Sequence, residues 1–279
     1  MKLSRALRGA FVATAVATAT ATVAGTASAA PTAYQVTFPM YGVHKTSGDL
    51  RVWFPTATGY LSGQTFAYDF SSVADVISAD NDGDGYGEAD WTLYKDGRLE
   101  FFSEEGTAED PTVVGSGWNT YKTVLSPGSI GGAKEADLVG FDKTGVLYSY
   151  LAYPTGKLTP RVRVGGGWNV YDQIAGQGDL TGDGKPDIVA KEKSTGFLYL
   201  YKGTGDYKAP FAPRQKVGSG WNAYDRLIAL GDVNGDGKAD LLARKPTGAL
   251  MRYNGTGLAQ GPFKPPVQIG SGYQSYNLL

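Results

Sequence analysis

The chain has 279 residues, a formal net charge of −1 and 42% hydrophobic residues, with 40 glycines, 18 tyrosines, one histidine and no cysteine. The missing cysteine excludes disulfides, thiol nucleophiles and cysteine-based zinc sites, so the fold must rest on a large core or on bound metal. A mildly acidic chain without a Lys/Arg cluster offers no footprint for nucleic acid or an anionic membrane surface.

Residues 1–29 read as a signal peptide. Lys2, Arg5 and Arg8 precede an apolar stretch from Gly9 to Gly25, and Ala27-Ser28-Ala29 supplies the small-residue cleavage signal. Cleavage after Ala29 would leave residues 30–279 as one domain, secreted and extracellular. No later stretch reads as a membrane span, so no membrane insertion is expected.

Beyond that segment the chain repeats itself. Tyr34 to Phe38 leads into a hairpin from Gly42 to Trp53, whose turn glycine, Gly48, recurs as Gly97, Gly145, Gly196 and Gly248. A Gly-x-Gly-aromatic marker recurs with Trp118, Trp168, Trp221 and Tyr273. Both markers have a period of about fifty residues, which makes five supersecondary units that must stack to bury their apolar faces.

Within a unit the pattern is that of strands. Asp240 to Arg244 and Ala249 to Tyr253 flank the turn Pro246-Thr247-Gly248, and Lys216 to Gly218 and Tyr224 to Leu230 supply two more. Sustained helical periodicity is absent. Four strands per unit predict an all-β chain, a five-bladed β-propeller of four-stranded blades. The last segment, from Tyr273 to Leu279, stops midway through a unit that the N-terminal strand would complete. The two ends are expected to share one blade, which removes free sheet edges.

Three units carry an aspartate loop. Asp232, Asn234, Asp236 and Asp240 place oxygens at loop positions 1, 3, 5 and 9, with the Lys238 carbonyl at position 7. Asp179, Thr181, Asp183 and Asp187 repeat the pattern, with the Lys185 carbonyl at position 7. Asp80, Asp82 and Asp84 open a third loop, read as two residues longer, in which either Glu88 or Asp90 closes the site; Asp90 is taken as the ligand. Several oxygens on a flexible loop suit Ca2+ better than magnesium, which gives about three sites. An EF-hand is excluded because position 12 is Trp91, Ala190 or Ala243. In the unit from Ser129 to Asp137 only the last aspartate remains, and no metal is expected there. The role of the ions is expected to be structural, clamping the entry to each hairpin.

These loops, each followed by an apolar strand, resemble the FG-GAP repeats of integrin α-subunit propellers and their bacterial relatives. The resemblance implies calcium in the loops and covers nearly all of residues 30–279. The Phe-Gly and Gly-Ala-Pro signatures themselves are missing.

The segments Val114 to Tyr121, Val164 to Tyr171, Val217 to Tyr224 and Ile269 to Tyr276 are similar to the Gly-Trp segments of the tachylectin family. That resemblance implies five blades and binding of N-acetylated sugars. As ligand sites, Trp118, Trp168, Trp221 and Tyr273 would stack on sugar faces, while Asn119, Asn169 and Asn222 hydrogen-bond hydroxyl or acetamido groups. As packing, the rings would fill the space between blades and the asparagines would fix the turn. Both readings stand at this point.

A catalytic site is not expected. His44 is the single histidine, and its repeat counterparts Tyr94, Asp142, Lys191 and Arg244 read as an ordinary solvent-facing strand position. Glu100, Glu104, Glu105 and Glu109 crowd a segment that reads as an exposed loop. The resulting expectation is a secreted, calcium-stabilised, lectin-like binding module for glycans. A protein-adhesion module of integrin-head type acting on extracellular proteins, and a five-bladed glycosidase, are the alternatives.

Overall fold

Short apolar runs separated by glycine turns leave the chain no local way to bury its surface, so the runs pair into sheets. The computed structural model describes residues 37–85, 87–104 and 111–279. The expected signal peptide over residues 1–29, the strand start at Tyr34, and Glu105 and Glu109 lie outside the described residues.

Among the described residues, twenty strands form five antiparallel sheets of four, arranged as the blades of a β-propeller. Blade one holds β1 (Met40–His44), β2 (Asp49–Pro55) and β3 (Leu61–Asp69). Blade two is β4 (Val73–Ala79), β5 (Ala89–Tyr94), β6 (Leu99–Ser103) and β7 (Thr112–Gly115). Blade three is β8 (Tyr121–Gly128), β9 (Asp137–Asp142), β10 (Leu147–Tyr150) and β11 (Val162–Gly165). Blade four is β12 (Tyr171–Ala175), β13 (Ile188–Glu192), β14 (Leu198–Tyr201) and β15 (Gln215–Gly218). Blade five is β16 (Arg226–Ile228), β17 (Leu241–Arg244), β18 (Leu250–Tyr253) and β19 (Val267–Gly270).

The last strand, β20 (Tyr276–Leu278), completes blade one by pairing with β1, with Gly42 opposite Leu278 and His44 opposite Tyr276. The first and last strands of the described residues therefore share a blade, as the split repeat predicts.

The core lies between blades. Five apolar clusters each join two neighbours: Tyr41 and Leu50 of blade one meet Val73 and Val76 of blade two, and Trp91 and Phe101 of blade two meet Leu138 and Tyr150 of blade three. Phe141 meets Ile188, Leu200 meets Leu241, and Leu242 meets Trp53 around the rest of the ring. Second strands are covered on both faces, and β5 and β17 are buried along their whole length. This explains why they read as continuous apolar runs instead of alternating ones.

The position expected to face solvent does not do so in three blades. Tyr94, Lys191 and Arg244 are buried, at 8%, 4% and 9% exposure. Lys191 donates to the Tyr224 carbonyl of the next blade at 3.0 Å and pairs with Asp172 at 3.1 Å. Arg244 grips Asp225 with two nitrogens and reaches the Tyr273 and Tyr276 carbonyls at 3.1 and 2.9 Å. These cations bolt one blade to the next. The counterpart His44 stays half-exposed, edge-on to Tyr276 and accepting the Ser47 N–H. Glu100 belongs to β6, where Tyr94 and Arg98 bind it, and not to a loop.

Candidate functional site

Each aspartate loop joins the first and second strands of a blade, and its backbone winds around its first carboxylate. Asp80 accepts the N–H groups of Gly83 and Gly85, Asp179 those of Gly182 and Gly184, and Asp232 those of Gly235 and Gly237, all at 2.6–3.0 Å. The six glycines have φ between 73° and 97°, which explains their place in the motif.

The ninth position closes the loop. Asp187 accepts from Leu180, Thr181 and Gly203, and Asp240 from Val233 and Gly255. In the blade-three loop, which lacks aspartates at positions 1, 3 and 5, Asp137 makes the same bonds to Ile130 and Ala152 at 3.0 and 2.9 Å. This aspartate thus ties the loop entry to the chain leaving the third strand, and Asp137 makes the tie in a loop without the other aspartates. Burial raises the carboxyl of Asp137 to about 7 and those of Asp187 and Asp240 to about 6.

In blade two that role belongs to Glu88. Its Oε1 accepts the Asn81 N–H at 2.7 Å, the same seven-residue reach as Val233 to Asp240. Asp80, Asp82, Asp84 and Glu88 each place an oxygen within 4.8 Å of the others. Asp90, taken from sequence as the closing ligand, lies outside this group: it is a fully buried residue of β5, bonded to Thr92 at 3.0 Å. The loop is not extended; Glu88 stands eight residues after Asp80, as Asp187 does after Asp179, and that count is the signal which identifies it.

The carboxylate group of blade two fits a hard divalent cation. The N–H of Glu104 goes to the Glu88 carbonyl at 2.9 Å instead of its side chain, and Glu88 Oε2 is buried without a hydrogen-bond partner among acidic neighbours. Burial first, opposed by backbone bonds and then aided by Asp80 and Asp82, lifts the Glu88 carboxyl to about 7. A cation would relieve both the repulsion and the orphaned oxygen.

Loops four and five are drawn differently, because lysines approach their fifth positions. Lys202 pairs with Asp183 at 2.9 Å, and Lys264 lies 3.9 Å from Asp236, which also takes the Asn234 amide at 3.2 Å. Thr181 is buried and donates its N–H to Asp179 and Asp187. The Lys185 ammonium binds the Thr204 carbonyl at 2.8 Å, and the Lys238 side chain lies over Gly257. In both loops the oxygens surround a common turn without converging as closely as in blade two.

The Gly-x-Gly-aromatic motif forms a tight turn over the hairpin of the preceding strands. The N–H groups of Trp118, Trp168, Trp221 and Tyr273 bind the carbonyls of Gly97, Gly145, Gly196 and Gly248 at 2.9–3.2 Å, so the two repeat markers meet. Trp118, Trp221 and Tyr273 are 6–7% exposed, and Trp168 is half-buried. The tryptophan rings stack on Tyr150, Tyr201 and Tyr253 at 4.6–4.9 Å. Each of those tyrosines shares a hydroxyl contact with the tyrosine that follows the motif, namely Tyr121, Tyr171 and Tyr224. The rings are core. Asn119, Asn169 and Asn222, followed at the fourth turn by Gln274, are exposed beside the hairpin glycines.

The model of the FG-GAP-like repeat family matches residues 179–243, which take in both loops of blades four and five. No curated protein matches the chain in sequence. Among solved structures the chain is similar to regucalcin, a calcium-binding protein from Agrobacterium tumefaciens strain C58, at 12% identity over 83% of this chain and 74% of that one, with a TM-score of 0.42. It is also similar to the fungal Aleuria aurantia lectin, a six-bladed propeller with a fucose recognition mode, at 12% identity over 86% and 79%, with a TM-score of 0.42. The chain is a five-bladed β-propeller that carries an FG-GAP-like repeat in blades four and five.

Proposed function

We propose that this propeller is an exported binding module, stabilised by calcium, that recognises carbohydrate through a ring of exposed amides. The observation that carries the binding reading is the fourfold recurrence of an exposed carboxamide, Asn119, Asn169, Asn222 and Gln274, after a packed aromatic ring. An amide held at the edge of a rigid turn offers both donor and acceptor to hydroxyl or acetamido groups. Equivalent weak sites around a ring gain avidity on a polymer, so a glycan-coated surface suits the arrangement better than a single small ligand. The buried rings contribute rigidity, not stacking surface.

Calcium would be held by Asp80, Asp82, Asp84 and Glu88 in blade two, by Asp179, Asp183 and Asp187 in blade four, and by Asp232, Asn234, Asp236 and Asp240 in blade five. Its contribution there is to neutralise crowded carboxylates and stiffen loop entries. Export follows from the leader read over residues 1–29.

A glycan array probed with and without chelator tests this reading. Saturable binding that falls in the N119A/N169A/N222A variant is expected. A blank array from protein that melts normally would sink the carbohydrate reading, and a melting temperature indifferent to calcium would sink the metal part.

A further inference from the structure

The first strands of blades two to five surround a cavity of about 110 Å³ at the centre of the ring. Two residues after Val73, Tyr121, Tyr171 and Tyr224, each strand contributes a polar residue to its wall: Asp75, Thr123, Gln173 and Arg226. One residue further on, the same strands carry Val76, Val124, Ile174 and Leu227, a uniform apolar position. The contrast is informative. Both positions line the cavity, but the apolar one is alike in all four blades, whereas the polar one carries a carboxylate, a hydroxyl, an amide and a guanidinium in turn.

Four buried polar atoms on residues of this wall lack a hydrogen-bond partner: Tyr41 Oη, Ser126 Oγ, Asp172 Oδ1 and Arg226 Nε. Ser126 is only 4% exposed. Such atoms are rarely left unsatisfied, and four around one cavity point to a hydrogen-bonding occupant. Two further acceptors are already used: Gln173 Oε1 takes the Leu227 N–H at 3.3 Å, and the second oxygen of Asp172 holds Lys191 at 3.1 Å.

Charge narrows the class of occupant. Asp75 feels Arg226, and Asp172 is balanced by Lys191 behind the wall, so the cavity has no net charge to offer an ion. Its open valences are a cationic donor, an anionic acceptor and two hydroxyls that can do either. A ligand hydroxyl satisfies each of them. With about 10–15 Å³ of such space per water, the cavity of about 110 Å³ has room for a cluster of about seven to eleven, comparable to one sugar ring.

We propose that the axial cavity binds a neutral polyhydroxylated molecule of monosaccharide size, through Asp172, Ser126 and Arg226, with Asp75, Thr123 and Gln173 setting its orientation. This site shares a ligand class with the amide ring but none of its residues.

Calorimetric titration of the full chain with glucose, galactose and N-acetylglucosamine, each to tens of millimolar, tests the assignment. One-site saturable binding is expected, about tenfold weaker in Arg226→Met and several-fold weaker in Ser126→Ala, a change small enough to leave folding intact. Melting curves identify any variant that fails to fold, and Ser126→Ala then decides the outcome. Absence of saturable binding to all three sugars by normally folded protein overturns the proposal. So does binding that both cavity variants leave unaltered, or that N119A/N169A/N222A abolishes, because that binding belongs to the outer amides.

Discussion

Lys191 and Asp75 illustrate how a ring places charge between apolar blades. Lys191 is buried because the next blade brings the Tyr224 carbonyl and the Asp172 carboxylate to its ammonium. Replacing it with methionine keeps the bulk and removes both bonds. Lys191→Met is expected to lower the unfolding free energy by about 2 kcal/mol in urea titrations, because a carbonyl and a carboxylate lose their donor. Asp75 is less well matched. Burial raises its carboxyl to about 6, with Arg226 opposing the shift. Because the folded value is raised, the stability this group supplies is fully present below the unfolded value near 4 and is lost as pH rises through about 6. Asp75→Asn should therefore match the parent at pH 4 and exceed it by about 1–2 kcal/mol at pH 7.5, the gain being limited by the counter-charge that Arg226 loses. Unfolding measured at both pH values checks the sign.

At the scale of the element, the aspartate loop separates into two parts with different jobs. The closing carboxylate is an architectural tie, while the acids before it gather charge. Asp137→Ala, in the loop that keeps only the tie, is expected to cost about 2–3 kcal/mol equally in calcium and in chelator. Glu88→Gln should cost little in chelator and should remove most of the calcium-dependent rise in melting temperature. Equal calcium responses in parent and Glu88→Gln would show that this carboxylate holds no ion. The tie also explains what the sequence hid. Asp-x-Asp-x-Asp is legible as a cation loop from residue types alone, but the closing residue is set by where the strand begins. Asp90 resembled the other closing aspartates because it precedes an apolar run; it is instead the second residue of β5, buried on both sides. Trp118, Trp168 and Trp221 were ambiguous for a related reason. Their glycine turns are local, but the tyrosines that cover them come from other strands of the ring.

For the molecule as a whole, the fifty-residue period was sufficient to specify blade number and the shared blade, since a repeat that cannot bury itself must close on its neighbours. Burial of Lys191 and Arg244, and the chemistry of the central wall, were not legible: both depend on which strand faces which across the ring. Closure also carries stability. Removing residues 276–279 would strip β20 from β1 and expose a strand edge beside Met40 and Trp53. The truncated chain is expected to melt at lower temperature and to self-associate on size-exclusion chromatography, whereas a monomer with unchanged melting would show that blade one is complete without β20.

The pairing of β1 with β20 also sets a timetable. The strand that opens the described fold waits for the strand that ends it, so a growing chain holds four complete blades as an open arc before the ring can shut. Such a long-range contact makes closure a late and slow step. Until β20 arrives, that arc presents the unpaired edge of β1, so the interval before closure is when the folding chain is most open to pairing with another copy.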